Sequence, residues 1–565
     1  MSILLRDRAV AVLAAFLALA STTSLAATTA NTTAIPIQHV IIIMQENRSF
    51  DSYFGTFPGA DGIPSGACVP NDPDHSEKGC VKPFHDLHDQ NAGGPHRAFG
   101  AQADIGDGIH TDRMNGFIFQ QVHAPRDCAP TTANCSAFFA GVERRDVVGY
   151  HTREEIPNYW TYASRFVLQD HLFEGVRSWS WPSHLEITSE WVAVCKDDTK
   201  ATSCVTDPDG GEQGPHSIKQ LPWSNLFQLM DAHGVSWKYY LAGGNQPDCD
   251  DDEMTCPAKP QQAGVPSIWN PAPYFTSVKQ QGAKYLAKHN PDTKQFFADI
   301  KNDTLPRVSW IVPTDPESEH PTAGVTRGMN YVTKLINAVM ASHYWKHTAI
   351  FLAWDDWGGF YDHVPPPNVD RNNTKYPIQG YGLRVPGIMI SAYAKAGMID
   401  HSVMSFDAYA TFIEDLFMNG ARLNPKALGN PDNRPDIRDA LTKVHFLDGT
   451  TAPIGKLIDE FDFNQKPLPP LLLTTAIPSG IIAICAPRMT YQCTRQTVNI
   501  HWNPVAAKGF IYHVERDGTE LPQCKGIAAD CIDKPGKGKH LYRVYSVNSK
   551  GRKSPRSAAA EVNEP

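Results

Sequence analysis

Residues 37–59 read IQHVIIIMQENRSFDSYFGTFPG. Four β-branched residues, Val40 to Ile43, follow one another without polar alternation. A strand reads this way when both of its faces are buried in a parallel sheet. Gln45, Glu46, Asn47 and Arg48 come directly after it. In open α/β sheets, ligands sit in the crevice beyond the carboxyl ends of the strands, and a carboxylate beside an amide oxygen there is a hard-cation ligand pair. The alternative is that Glu46 and Asn47 cap a helix beginning near Ser49.

The same type of run recurs along the chain: FVLQDHLF at 166–173, VSWKYYL at 235–241, RVSWIV at 307–312, AIFLAW at 349–354 and VPGIMIS at 385–391. Helical segments at 154–164, 223–233 and 405–418 separate them, which predicts a doubly wound, largely parallel sheet in an α/β fold. AIFLAW runs straight into Asp355-Asp356, and RVSWIV into PTDPESEH at 313–320. Adjacent carboxylates repel, and burying both is tolerable mainly where a cation neutralises them. Three strand ends with metal-ligand chemistry define a site hypothesis; against it, Asp355-Asp356 could be surface acids at a helix start. Gly358-Gly359 permits tight backbone approach, so His363 can return towards the same centre. A candidate nucleophile is Ser180 in SWSWPSH (178–184), where Pro182 suits a first helical turn and free amides favour a phosphate. On spacing alone Ser178 or Ser183 would serve nearly as well, and a simple N-cap is the competing reading.

The chain of 565 residues is long enough for an enzyme-sized domain and an accessory module, and its net charge of -9 gives no reason to expect nucleic acid. Arg6 and Arg8, an apolar run at 9–20 and small residues at 24–26 read as a general secretory signal, placing the mature protein in the periplasm or outside the cell. The 12 cysteines fall into six close sequential pairs: Cys68/Cys80, Cys128/Cys135, Cys195/Cys204, Cys249/Cys256, Cys485/Cys493 and Cys524/Cys531. Their loop-like intervals suit short disulfide-closed excursions in an oxidising compartment, and none has the spacing of a zinc site. The expected organisation is a signal peptide at 1–26, a catalytic domain at 27–465, a Pro-rich linker at 466–480 and a β-sandwich at 481–565. In that last part TVNIHWNP, GFIYHVERDG and HLYRVYSVNSKGRKSP resemble a fibronectin type III module, shortened enough that a strand could be missing.

The motifs ENRSFDSYFGTFPG, SWSWPSH, VSWKYY, IWNPAPYF, SEHP and FLAWDDWGGFYDHVPPP resemble, in order, the phosphoesterase family of bacterial phospholipases C, a related acid phosphatase and plant non-specific phospholipases C. The resemblance covers about residues 37–417 and implies an alkaline-phosphatase-like α/β/α core. Carried over motif by motif, it makes Glu46, Asn47, Asp355 and Asp356 metal ligands and Ser180 the nucleophile. His320 and His96 become phosphate-contacting histidines, while His184 and His363 lie in family motifs as substrate contacts. His85 and His88 fall in the surrounding loop, where either could take the place of His96. Trp181 and Trp357 are candidates for an aromatic cage around a choline-like head group, core packing being the alternative. Oxygen donors favour Ca²⁺ or Mg²⁺. The implied partner is a phospholipid or other phosphoester, with peripheral membrane contact. Three functions compete: phospholipase C, a broad acid phosphatase on the same core, and an inactive secreted binding protein. Cys-paired insertions at 128–135 and 197–213 would reshape the pocket mouth, and haemolysis does not carry over.

Overall fold

The computed structural model describes residues 35–106, 113–124, 139, 141–195, 204–206, 221, 223–246, 258–369, 380–423, 441–485, 497–505 and 508–564. The signal peptide and the pairs Cys128/Cys135 and Cys249/Cys256 lie outside them, as does Cys493.

The central sheet has seven strands: β1 (His39–Gln45), β2 (Val167–Gln169), β3 (Trp237–Leu241), β4 (Val308–Val312), β5 (Thr348–Trp354), β6 (Gly387–Ser391) and β7 (Met398–Asp400). Their spatial order is β3-β4-β1-β5-β6-β2-β7. All run parallel except β6, which is antiparallel to both β5 and β2. The opening stretch therefore lies in the middle, and Val40 to Ile43 are at most 1% exposed.

Helices cover both faces, as the alternation of β5 shows. Trp354 points to one face and stacks edge-on against Tyr159 of α2 (Pro157–Arg165) at 5.1 Å. Phe351, an odd number of residues away, points to the other and packs against Tyr409 and Phe412 of α5 (Asp407–Phe417). Other helices are α1 (Phe50–Phe54), α3 (Ser180–Ser189) and α4 (Val325–Met340). The expected helices at 154–164, 223–233 and 405–418 are each present but shorter, as Pro157–Arg165, Leu226–Ala232 and Asp407–Phe417.

Residues 479–564 form two antiparallel sheets. One joins β8 (Ser479–Cys485), β9 (Val498–Asn503) and β12 (Asp530–Asp533). The other has the order β11-β10-β13-β14, with β10 Ile511–Arg516, β11 Thr519–Glu520, β13 Gly538–Val547 and β14 Ala560–Glu564. Trp502, Tyr512, Val514, Tyr542 and Val544 fill the core between them. These sheets belong to the same compact unit as the central sheet. Disulfides Cys68–Cys80 and Cys524–Cys531 are formed, and Cys195 stands opposite Cys204 in a two-stranded ladder.

At the ends of β2 and β7, the buried Glu460 accepts from Gln169 Nε2 at 2.7 Å, close enough to Asp400 to feel its charge. Burial, followed by the Asp400 charge, pushes the Glu460 carboxyl well above its ordinary range. A carboxyl that is neutral when folded and ionised when unfolded costs stability increasingly as pH rises above about 4.5. Glu460→Gln keeps the oxygen that accepts from Gln169 and should raise Tm at pH 8 by roughly a degree or two, with no gain at pH 4.5. Equal Tm values at pH 8 would refute this account.

Candidate active site

β1 ends at Gln45, and the chain then turns sharply. Asn47 has φ +58°, a left-handed conformation that asparagine tolerates better than most residues. Ser49, not Glu46 or Asn47, caps α1, its side chain accepting from Ser52 N at 3.2 Å. Glu46 and Asn47 are thereby released from the capping role and fully buried.

The neighbouring strand β5 delivers Asp355 and Asp356 alongside them. Asp355 N donates to Gln45 O and Arg48 N to Asp356 O, both at 2.9 Å, which locks the two strand ends together. Asn47 N donates to Asp355 Oδ1 at 3.1 Å and Asn47 Nδ2 to Asp356 Oδ1 at 3.0 Å. Gly358 takes φ +61°, and a Cβ there would lie 2.6 Å from Asn47 Cβ. A Cβ on Gly359 would lie 2.3 Å from Gly94 Cα. Only glycine lets the segment after β5 close against both the Asn47 turn and the His96 loop.

Ser180 opens α3, as the Pro182 signal predicted. Its Oγ donates to Glu46 Oε2 at 2.9 Å and lies 3.4 Å from Asp356 Oδ2. Ser183, a competitor on spacing, is committed elsewhere, donating to Asp355 O at 2.7 Å. His184 joins the group from the next turn. Tyr239 OH donates to Trp269 O at 2.8 Å, so its oxygen receives the Nδ1 proton of His184 at 3.1 Å. That leaves His184 Nε2 facing Glu46 Oε1 at 3.2 Å and Asp355 Oδ2 at 3.8 Å. Glu46, His184 and Asp355 offer ligand atoms that all lie within 4.8 Å of one another. The sequence placed His184 among substrate contacts; its ring nitrogen faces the carboxylates.

Two oxygens test whether a cation fits. Asn47 Oδ1 and Asp355 Oδ2 are buried and accept no hydrogen bond. A buried oxygen that lacks a donor is the kind of ligand a divalent cation takes. Three buried carboxylates, Glu46, Asp355 and Asp356, meet here and require positive charge. The residues fit a metal.

Two imidazoles flank this group. His96 gives its Nδ1 proton to Gly94 O at 3.0 Å and His320 to Pro321 O at 2.6 Å, because a carbonyl only accepts. Their rings are 5.7 Å apart. Gly94 N donates to Gly358 O at 2.9 Å, and Glu46 N to Ser318 O at 3.1 Å, tying both histidine loops to the carboxylate cluster. His85 and His88 are instead bound to Glu155 and Asp86, so neither stands in for His96. Trp357 is buried beside His96 with its Nε1 on Asp104 at 2.9 Å, and Trp181 is buried against Tyr274. Both are 0% exposed and belong to hydrophobic core clusters, as the packing alternative has it.

His363 belongs to a second cluster. Its Nδ1 meets Asp51 Oδ2 at 2.7 Å, and its Nε2 meets Asp61 at 3.4 Å. Asp51, Asp362 and His363 have ligand spacing, but the buried Arg384 already bridges Asp51 and Asp362 at 3.0 and 3.1 Å. An internal guanidinium fills the place of a metal.

Sequence reasoning missed two buried acids. Glu174 accepts from Leu383 N at 2.8 Å, while its Oε2 has no hydrogen-bond partner. Burial, then the Asp356 charge, holds the Glu174 carboxyl well above its ordinary range. Glu319, within SEHP, receives Tyr159 OH, Tyr53 OH, Trp354 Nε1 and Gln45 Nε2 at 2.5 to 3.2 Å. It underlies the ends of β1 and β5, and burial pushes its carboxyl up. The signal for Glu319 was its place after a buried strand; for Glu174 no periodicity marked it.

The phosphoesterase family model matches residues 37–418. Phospholipase C A of Mycobacterium tuberculosis is 27% identical over 399 residues, covering 64% of this chain and 69% of that protein. The hemolytic phospholipase C of Pseudomonas aeruginosa is 26% identical over 412 residues, with 67% and 53% covered. Non-specific phospholipase C1 of Arabidopsis thaliana is 24% identical over 394 residues, with 65% and 62% covered. With six motifs in order and the acidic pair, the serine and the histidines gathered at the strand ends, this chain belongs to the phosphoesterase family, hydrolases acting on phosphoester bonds.

Proposed function

We propose that this chain is a secreted phospholipase C that converts phosphatidylcholine-type diesters to diacylglycerol and a phospho-alcohol through a phosphoserine at Ser180. The observation that carries the proposal is the convergence of Ser180 Oγ on Glu46 and Asp356, beside the orphaned oxygens of Asn47 and Asp355. The choice of a phosphodiester draws on the likeness to proteins named phospholipase C. Secretion draws on the N-terminal sequence pattern and the Cys68–Cys80 disulfide.

Glu46, Asn47, Asp355 and Asp356 would hold a divalent cation, Ca²⁺ or Mg²⁺ by the oxygen-rich donor set, which when bound would lower the serine pKa and polarise a phosphoryl oxygen. Ser180 Oγ attacks phosphorus from the first turn of α3, whose free amides face the incoming anion. Glu46 Oε2 lies on the path of the serine proton. His96 and His320 have their Nδ1 protons fixed on carbonyls, so a second ring proton sits on Nε2; with it they donate to equatorial oxygens, and one of them passes that Nε2 proton to the leaving alkoxide. Water then attacks the phosphoserine and frees the head group. The two C-terminal sheets, with seven strands around Trp502 and Tyr542, support a fibronectin type III-like reading of that module.

The deciding experiment compares phosphatidylcholine with p-nitrophenyl phosphate, with and without chelator. The diester should show the higher kcat/KM, and metal removal should cost on the order of 10²-fold or more, restored by Ca²⁺ or Mg²⁺. A preference for the monoester would replace this reading with an acid phosphatase. Inactivity on both substrates would favour a binding protein.

A further inference from the structure

The four-stranded C-terminal sheet turns its outer face towards the catalytic unit at one end, where Arg543 pairs with Glu154 and Glu155 at 3.2 Å. The other end of that face is open. Tyr512 and Gly526 form an isolated antiparallel bridge, exchanging backbone hydrogen bonds of 2.7 and 3.1 Å. Antiparallel neighbours pair in reverse order, so Ile527 stands opposite Ile511. Ile511 is in register with Val547 of β13, and Val547 bridges to Lys553. Tyr512 points into the module core, so its neighbour Ile511 points outward, and the other three share that face. Ile527, Ile511, Val547 and Lys553 thus form one row about 14 Å long at the usual strand spacing.

The row is not core. Ile527 is 83% exposed and Ile511 42% exposed, and the Cys524–Cys531 disulfide closes the loop that presents Ile527. Segments 504–514, 521–529 and 544–556 surround it and contain no Asp or Glu. They carry Lys508, Lys525, Lys550, Arg552 and Lys553, all exposed. Two acids of the same sheet have partners of their own: Glu520 accepts from His513 and Tyr545, and Glu515 from Arg556. Residues 481–565 hold thirteen Lys and Arg against seven Asp and Glu, in a chain whose net charge is -9. A cationic end on an acidic protein, with isoleucines standing among the lysines, selects a partner that is anionic at its surface and apolar beneath it.

We propose that this end of the C-terminal module docks on an anionic phospholipid bilayer, Ile527 and Ile511 entering the interface while the five cations meet lipid phosphates. A nucleic acid would satisfy the cations but leave the isoleucines in water; a bilayer accepts both. The proposal deepens the phospholipase reading and rests on it for the source of the lipid.

The test is co-sedimentation of the full chain with vesicles of phosphatidylcholine containing about 30% phosphatidylglycerol, and with pure phosphatidylcholine vesicles, in a Ser180→Ala background that keeps them intact. Each surface cation contributes about a fivefold factor to anionic vesicle binding. Lys525→Glu with Ile527→Asp should therefore lower partitioning onto the anionic vesicles at least tenfold, whereas Leu472→Asp, also at an exposed apolar position, should not. With Ser180 intact, the double variant should hydrolyse p-nitrophenylphosphorylcholine, a soluble diester, within twofold of the parent. Unchanged partitioning overturns the proposal. So does binding of duplex DNA that exceeds vesicle binding and is lost in the same variant. Failure of the parent chain to cleave the soluble diester would sink the phospholipase reading while leaving the vesicle result to stand by itself.

Discussion

Ser180→Ala is expected to lower phosphoester hydrolysis by about 10³- to 10⁶-fold, the range seen when a covalent nucleophile is removed from a site that otherwise persists. The substitution deletes one atom. Ser180 begins α3, and among the described residues its Oγ hydrogen-bonds Glu46 and Asp356. Alanine suits the helix, so Tm and circular dichroism should match the parent. Ser183→Ala is the informative partner: that hydroxyl buttresses the Asp355 carbonyl and should cost far less. A trapped phosphoenzyme in the parent, absent from Ser180→Ala, would identify the nucleophile directly. Activity within tenfold of the parent would end the serine mechanism.

Arg384→Met should destabilise the fold by about 3–5 kcal/mol, the range for breaking a buried ion pair from one side. The guanidinium is fully buried and uses all its nitrogens. Nε donates to both Asp362 oxygens at 3.1 Å, Nη2 to Asp51 at 3.0 Å, and Nη1 to the carbonyls of Asp61 and Asp170 at 2.8 and 2.9 Å. It also lies over Phe50, 4.5 Å from the ring centre. Even with this partner, burial pushes the Asp362 carboxyl to about 6. Without it that value rises further, so the variant should be least impaired near pH 5 and progressively worse above it. In the parent, burial lowers and the Asp51 and Asp61 hydrogen bonds raise the His363 pKa, the net result being about 9. A raised histidine pKa gives stability that is full below about 6.5 and lost as pH climbs through about 9. Thermal melts of parent and variant at pH 5, 7 and 9 check both statements. A loss under 1 kcal/mol, or one independent of pH, would show that the cluster does not depend on Arg384.

Much of the architecture was legible because its cause is local. Continuous aliphatic runs such as Val40–Ile43 and AIFLAW have no face to offer water, so they must be interior strands, and six of the seven sheet strands were anticipated. The exception, β7 (Met398–Asp400), is three residues long and half-buried, too short for a period to register. The antiparallel course of β6 was equally hidden, since a doubly buried strand has the same composition in either direction.

For the site, the sequence determined the chemical inventory: acids and an amide directly after buried strands, a serine before a helical proline, histidines in glycine-rich loops. It did not determine distances, because Glu46, Ser180 and Asp355 are brought together over separations of 134 to 309 residues only by strand order and register. Of the serines equivalent on spacing, Ser180 was brought onto Glu46 and Asp356 and Ser183 onto the Asp355 carbonyl in this way. His363, in the same motif as Asp355, went to an ion cluster, while His184 turned towards the carboxylates because Tyr239, on another strand, fixed its proton. Residue types set which reactions were available; packing, through burial and the partner each polar atom was given, decided which atoms are placed to perform them.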